Sequence, residues 1–577
     1  MSNFNLLDEH WISVMEISSG EQKEISMKEL FKNAGSYKCL AGDMKTQDFA
    51  VLRFLLSIVQ TVFSRFDADG KQYSFVELDD RFRQINDIDI DDEDITDEYD
   101  ETMECTWKNL WENGRFPDVV CDYLEKWRDH FYLIDDEFPF YQLPEECISK
   151  KLEAGKKPSP FMGRNINRTI SESGNKTALF SPRFGNKKKS NKDTMTKSEL
   201  TRWLIMFQGY VGTSDKTTFD KKRTSSKGWL YDIGGVYLEG RNLYETLVLN
   251  FIPVLEKQYQ YRIQKPIWEI AESTDELLNY IISASPVDNL AELYTNWSRA
   301  VVVEFNDVSD NNDYITPVCG IVKLPEINHI NFFLEPMTIW GLVEKNNGDM
   351  KPKKHKPEQA IWRSFGLISI STSVDNKQHM PGIMESFANR VKNICGNRNI
   401  TINSVSMRDN GQAASWDPVD EIVDSLYIND IVVTDDSDNG WVNRINDSIE
   451  LTKTEIGFYY KNFIKDIALI RGMDNKAIQK FSESESEMAY NYIDNPFRQW
   501  LESIDPEDSK EKKVSEWKQT LQIMIKRRAE DIVKDAHGRD YIGVDKDNGT
   551  QYNIINAYQR FLALTNKLLN NGGESGE

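Results

Sequence analysis

The stretch EIGFYYKNFIKDIALI (residues 455–470) sets Ile456, Tyr459, Tyr460, Phe463, Ile467 and Ile470 at helical spacing along one face. The pattern returns in Val514, Trp517, Leu521, Met524 and Ile532, and again in Tyr558, Phe561, Leu562, Thr565 and Leu568. A further helical stretch, residues 482–504, contains Pro496, which should break it. Four one-sided helices in sequence close most simply as an antiparallel bundle, predicted here over residues 436–570. The polar, Gly-rich end at 571–577 reads as a flexible tail.

Upstream the periodicity alternates. Residues 4–15, FNLLDEHWISVM, suggest a short strand entering a core. A helix is expected from Thr46, acting as N-cap, with Asp48 in its first turn and Val51, Leu52, Leu55, Ile58, Val59 and Val62 facing the core. Further helices are expected at 119–127 and 200–210. Strands are expected at 298–304, 320–323 and 368–372, and residues 404–407 lead into the turn at 408–415. The fold class is therefore α+β: a large mixed α/β domain over residues 1–435, followed by a four-helix bundle. A chain of 577 residues exceeds what a single core organises.

The composition is globular, with 39% hydrophobic and 11% aromatic residues. Net charge is −23, which argues against a free-standing non-specific nucleic-acid binder. That charge is uneven. Residues 87–101 hold ten acidic residues and no basic one, leaving −13 for the rest. Like charges at this density repel, so the block reads as a solvated, unstructured insertion. The six cysteines form no CxxC pair and the six histidines no HxxxH pair, so neither a metal site, a disulfide framework nor a cofactor is signalled. Free cysteines without a signal peptide point to the cytoplasm, and no apolar run is long enough to span a bilayer.

Local reversals of sign carry the functional reading. Residues 183–197 hold six basic residues, Lys187, Lys188 and Lys189 among them, against one acidic. Residues 216–227 hold five, including Lys221, Lys222 and Arg223, against one acidic. Between them Trp203, Phe207 and Tyr210 read as exposed aromatics, the composition of a nucleic-acid groove. A third basic segment carries Lys353, Lys354 and Lys356 between Pro352 and Pro357, which favours an extended, presented loop. Finally, RDNGQAAS (408–415) is a turn whose small residues allow close backbone approach, with the long amide of Gln412 projecting from it. No phosphate-binding loop, GxSxG elbow or HExxH helix occurs, which suits a recognition or scaffold protein.

Together these segments resemble the CasA family, the large subunit of the type I-E CRISPR Cascade surveillance complex. FNLLDEHWISV is similar to the family's NLL-x-x-x-W-I-x-V opening, SGNKTALFSP (173–182) to its SG-x-x-x-x-x-F loop, and RDNGQAAS to its R-x-N-x-QAS-like loop. The resemblance implies recognition of the protospacer-adjacent motif (PAM) in double-stranded target DNA, and the start of duplex opening for a guide RNA (crRNA). It implies Gln412 as the wedge, with Asn410, Gly411 and Ala413 in the minor groove. It implies contact of Leu179, Phe180 and Ser181 with the crRNA end and the complex, and basic loops on DNA. The implied partners are the crRNA-bearing backbone and small subunits, target duplex and a helicase-nuclease, with no enzymatic activity in this chain. Two features depart from the family. No lysine stands in FLEPMT (333–338), where its lysine finger lies, so Lys353, Lys354 or Lys356 would substitute. The family's glycine-rich PAM loop falls on a lysine-rich stretch, 212–228, in this chain. Outside the resemblance, a metal-dependent nuclease with dispersed carboxylates and an acidic protein-interaction scaffold remain as alternatives.

Overall fold

The computed structural model describes residues 4–166, 194–212, 217–219, 227–306, 314–343, 348–372, 377–394, 398–411, 418–545 and 551–571. The chain divides into two compact units, Met1–Pro357 with Ser373–Phe387 and Ile402–Ser425, and Glu358–Thr372 with Ala388–Thr401 and Leu426–Glu577.

The first unit is mixed, as its sequence predicts. Near the N-terminus, strand Ile12–Glu16 is flanked by Gln22–Ile25 and Tyr37–Leu40 in an antiparallel sheet. Strand Arg299–Asn306 runs antiparallel to Tyr314–Lys323, from Arg299 opposite Lys323 to Asn306 opposite Thr316. A third sheet places Asn399–Asp409 between Gly235–Glu239 and Pro418–Asn429.

The helix Lys45–Phe63 lies at the centre of this unit, and the expectation of a one-sided helix is corrected. Every residue from Thr46 to Phe63 is buried. The N-cap is Met44, not Thr46; the Thr46 amide and hydroxyl instead donate to Glu421 at 3.0 Å. Phe54 lies within about 6 Å of the rings of Trp11, Phe140, Tyr141 and Trp268. The polar residues of the remaining face bury because each finds a partner. Gln60 donates to the Ile252 carbonyl and Thr61 to the Ser57 carbonyl. Arg65 donates to Glu269 at 2.7 and 2.9 Å, and Arg53 donates to both oxygens of Glu335 at 2.7 Å.

Three other expectations are revised. The acidic block is not unstructured throughout: Asp92 caps a helix, Glu93–Asn113, that buries Tyr99, Met103, Trp107 and Leu110 while its acidic side chains face outward, except Asp100, which is half-buried and accepts from Gln260 and Tyr261. Apolar residues at helical spacing outweigh the repulsion, and Glu93 and Asp94 suit a helix N-terminus. The alternating 368–372 is not a strand, since Phe365–Ser369 is helical. Helix Asn475–Glu502 continues through Pro496, held by buried Ile493, Phe497, Trp500 and Leu501 around it.

The second unit carries the expected C-terminal helices. Trp441–Thr454 continues through a π turn, Glu455–Tyr460, into Lys461–Ile470, and packs with Asn475–Glu502, Lys510–Lys534 and Ile554–Asn571. Trp517 lies 4.8 Å from Phe497 and donates to the Thr452 hydroxyl, and Phe463 stacks on Phe561 at 5.1 Å. The π turn widens the helix by one residue and shifts the apolar stripe. Tyr459 is left half-buried, while Glu455 is fully buried.

Burial pushes the Glu455 carboxyl up to about 7, against the opposing hydrogen bond from the Thr565 hydroxyl at 2.6 Å and the charge of Lys526. A folded-state pKa above the unfolded value means the folded chain holds the extra proton between the two. Stability therefore falls as pH rises from about 4.5 to about 7, by roughly 2–3 kcal/mol for this group. Denaturant unfolding followed across that window should show this slope in the parent and lose it in Glu455→Gln; an unchanged slope would remove Glu455 as its source.

Candidate nucleic-acid interface

The site is built outward from Glu335. Its segment holds the place where the family resemblance sets a lysine finger, yet Leu334, Glu335, Pro336, Met337 and Thr338 are all buried. Glu335 accepts both Arg53 bonds, the Met337 amide at 3.0 Å and the Trp229 indole N–H at 2.6 Å. The segment is thus a core pin and presents no side chain outward beyond Phe333.

Pinned by that bond, Trp229 stacks on His329 with centroids 4.2 Å apart and planes 8° from parallel. Trp229 opens a short 3-10 turn, Trp229–Asp232. This turn sets Tyr231 in the core and leaves Asp232 half-buried beside it.

Lysines from distant parts of the chain gather here. The Lys354 ammonium sits 4.3 Å from the Tyr231 ring centre, 3.6 Å from Asp232 and 3.1 Å from Asp409. Lys227, which ends the second basic segment, reaches Asp232 at 2.5 Å and lies 5.5 Å from the same ring. An ammonium over an aromatic face, flanked by carboxylates, is held by charge, hydrogen bonding and the ring quadrupole together.

The basic loop is extended, as its prolines predict, and is fixed along its length. Met350–Pro352 pairs with Trp340–Leu342, and the Lys353 amide donates to the Ile339 carbonyl at 2.9 Å. A Cβ on Gly234 would lie 2.1 Å from the Lys353 carbonyl oxygen, so only glycine admits this approach. The His355 amide donates to Ser406 Oγ, and its Nε2 donates to the Gly235 carbonyl at 2.9 Å. Burial pushes the His355 pKa down, which keeps the ring neutral for that bond. His355 points inward and thereby turns its neighbours out: Lys351, Lys353 and Lys356 are exposed. A cleft of about 990 Å³ runs along these lysines, with Lys227, Asp232, His329 and Lys354 in its lining.

The turn after strand Asn399–Asp409 joins the cleft's lining through Lys354, which reaches Asp409 at 3.1 Å. Asp409 Oδ1 accepts the Gly411 amide at 2.9 Å while Oδ2 accepts Lys354. Gly411 has φ +71°, the left-handed conformation the sequence predicts for this turn. Burial raises the Asp409 pKa, but the Gly411 amide and Lys354 outweigh it and hold the carboxyl below its ordinary value.

Of the predicted site residues, the structure brings Lys353, Lys354, Lys356, Asn410 and Gly411 to one region. Gln412, Ala413, Lys187, Lys188, Lys189, Lys221, Lys222, Arg223, Leu179, Phe180 and Ser181 lie outside the described residues. Trp203, Phe207 and Tyr210, read as exposed, are buried in helix Lys197–Tyr210 and are corrected to core residues. Sequence reading missed Trp229, Tyr231, Asp232, His329 and Glu335. Among the described residues, no group of three or more His, Cys, Asp and Glu is placed to hold a metal, and no helix is long and apolar enough to cross a membrane.

A family model described as CRISPR-associated protein Cse1 matches residues 5–527. The chain belongs to the Cse1 family. A CRISPR-associated protein CasA/Cse1 from Thermus thermophilus is 24% identical to this Cse1-family chain over 398 residues, spanning 67% of this chain and 65% of that protein, just under two thirds of its length. The crystal structure of Thermobifida fusca Cse1 superposes with a TM-score of 0.73 at 21% identity, covering 98% of both chains. A chain of a CRISPR RNA-guided surveillance complex superposes at 0.66 with 12% identity, covering 98% of this chain and 99% of that one. At these identities the solved structures establish a shared Cse1 fold.

The Glu335 pin has a measurable weight. Glu335→Ala leaves Arg53 buried and unpaired and should cost about 3–5 kcal/mol in denaturant unfolding. The double change Arg53→Met, Glu335→Met should recover only the part due to the unpaired charge, since the Trp229 indole and the Met337 amide still lose their acceptor. A loss below about 1 kcal/mol in the single variant would contradict the role assigned to the pair.

Proposed function

We propose that this chain is the large subunit of a type I-E Cascade complex, recognising the PAM in double-stranded target DNA and starting its opening for crRNA pairing. The observation that carries the reading is the convergence of Lys351, Lys353, Lys354, Lys356 and Lys227 on one cleft, with Lys354 paired to Asp409 of the 409–411 turn, in a chain whose net charge is −23. A cationic strip on an anionic protein accepts a phosphate backbone locally while the rest of the surface repels it. The turn ends one residue before Gln412, so a backbone held on the lysines brings a groove beside that residue.

Minor-groove contacts from Asn410, Gly411 and Ala413 distinguish base pairs weakly, so readout of the flank is permissive. Insertion of Gln412 costs a few kcal/mol of stacking, on the order of one base step. Pairing of the opened strand with the guide offsets that cost only when the sequence matches. Recognition is thereby coupled to opening without covalent chemistry, and the chain acts as a non-enzymatic subunit. Within the same reading, Leu179, Phe180 and Ser181 contact the crRNA end and neighbouring subunits. Lys187, Lys188, Lys189, Lys221, Lys222 and Arg223 steady DNA, and the chain supports recruitment of the helicase-nuclease.

Gln412→Ala in the reconstituted complex should leave assembly intact and slow opening of a matched linear duplex at least tenfold, about 1.4 kcal/mol. Lys353→Ala with Lys356→Ala should weaken duplex binding on all flanks alike and reduce its salt dependence. Equal opening by parent and Gln412→Ala complexes would refute the wedge. Unchanged salt dependence would refute the lysine strip.

A further inference from the structure

Lys354 differs from the lysines beside it. Lys351, Lys353 and Lys356 are exposed along the cleft, whereas Lys354 is half-buried and its ammonium is shared by Tyr231, Asp232 and Asp409. Asp232 also takes Lys227, so its one carboxylate serves two ammonium groups. Asp409 is divided differently, with one oxygen on Lys354 and the other on the Gly411 amide. The carboxylate that holds Lys354 back is therefore the one that shapes the turn leading to Gln412.

We infer that Asp409 is a specificity-determining residue: it withholds Lys354 from phosphate until a DNA backbone seated on the exposed lysines displaces it. A phosphate oxygen and the Asp409 carboxylate compete for the same N–H groups of one ammonium, and both cannot lie at contact distance without repelling each other. Exchange costs the Lys354–Asp409 pair. An isolated anion gains little by it. A duplex already held at Lys351, Lys353 and Lys356 supplies the phosphate at high local concentration. Non-specific contacts are weakened more than a fully seated duplex, which is discrimination by an opposing element built into the free site. Among the described residues, the exchange also leaves Asp409 bonded to the Gly411 amide, so seating of the backbone is felt in the turn that precedes Gln412.

This inference rests on the DNA-binding reading above, and one experiment separates their failures. Binding of a short matched duplex by the complex reconstituted with the full chain is measured across about 50–200 mM salt for the parent, Asp409→Asn, Lys354→Met and the double variant. Asparagine keeps an oxygen for the Gly411 amide and removes only the charge. Asp409→Asn should bind about fivefold tighter at the lowest salt, with a salt slope steeper by about one. That gain should vanish when Lys354 is methionine. Glu326→Gln, which removes an exposed carboxylate near the cleft, gives the size of a bulk charge effect. A gain that persists without Lys354, or that Glu326→Gln reproduces, overturns the inference and leaves DNA binding standing. A loss in Lys354→Met with no gain in Asp409→Asn does the same. Duplex binding that is undetectable, or unaffected by any of these changes, overturns the DNA-binding reading and the inference with it.

Discussion

A guanidinium and a carboxylate buried side by side, Arg53 and Glu335, hold the first unit in register. Burying two charges is expensive, and a salt bridge alone rarely repays it. Here the carboxylate is saturated: besides Arg53 it accepts the Trp229 indole and the Met337 amide. Arg53 also lies 4.5 Å from the Tyr294 ring centre. With its partners distributed so, Glu335 fixes the central helix, the Trp229 turn and the strand-forming stretch beyond Met337 in one arrangement. Apolar packing would tolerate sliding between these parts, whereas a four-bonded carboxylate does not.

The consequence is carried outward by short, directional links. Trp229 fixes Tyr231 and Asp232, which receive Lys227 and Lys354. Lys354 meets Asp409, and Asp409 shapes Gly411. Beside this chain of contacts His355 anchors the basic loop to Gly235 and Ser406. A surface loop of lysines would ordinarily pay rotamer entropy to hold a ligand. In this chain the loop backbone is already committed, and only the exposed ammonium groups remain to adapt. That is pre-organisation of a cationic strip, achieved in a protein whose overall charge opposes nucleic acid.

Periodicity made much of the architecture legible. The helical stripes through Phe463, Trp517 and Phe561 are the contacts that pack the C-terminal helices, and the strand expected at residues 298–304 is observed over Arg299–Asn306. Where reading failed, tertiary partners had overridden a local signal. Arg53, Gln60 and Thr61 look like a solvated face until their acceptors, more than a hundred residues away for Arg53 and Gln60, are known. Trp203, Phe207 and Tyr210 resemble an exposed aromatic row because flanking lysines colour the composition, not because of their own spacing. The lysine loop and the Asp-Asn-Gly turn were visible as separate motifs. Their meeting was not, since it depends on Tyr231 and Asp232, residues in a short turn with no periodicity to mark them. Glu335 was hidden for the same reason: a single carboxylate in an apolar run carries no sign of the four donors that reach it.

The central claim, proposed above, is that the lysine-lined cleft and the turn tied to it through the Lys354–Asp409 pair read the flank of a DNA target within an RNA-guided complex. The most direct measurement is duplex binding by the reconstituted complex, with and without this chain, across a library of flanking trinucleotides beside one matched target. The account predicts that tight binding requires this chain and varies with the flank in a permissive pattern that favours a subset of sequences. Binding that is equally tight without the chain, or identical on every flank with it, would contradict the account.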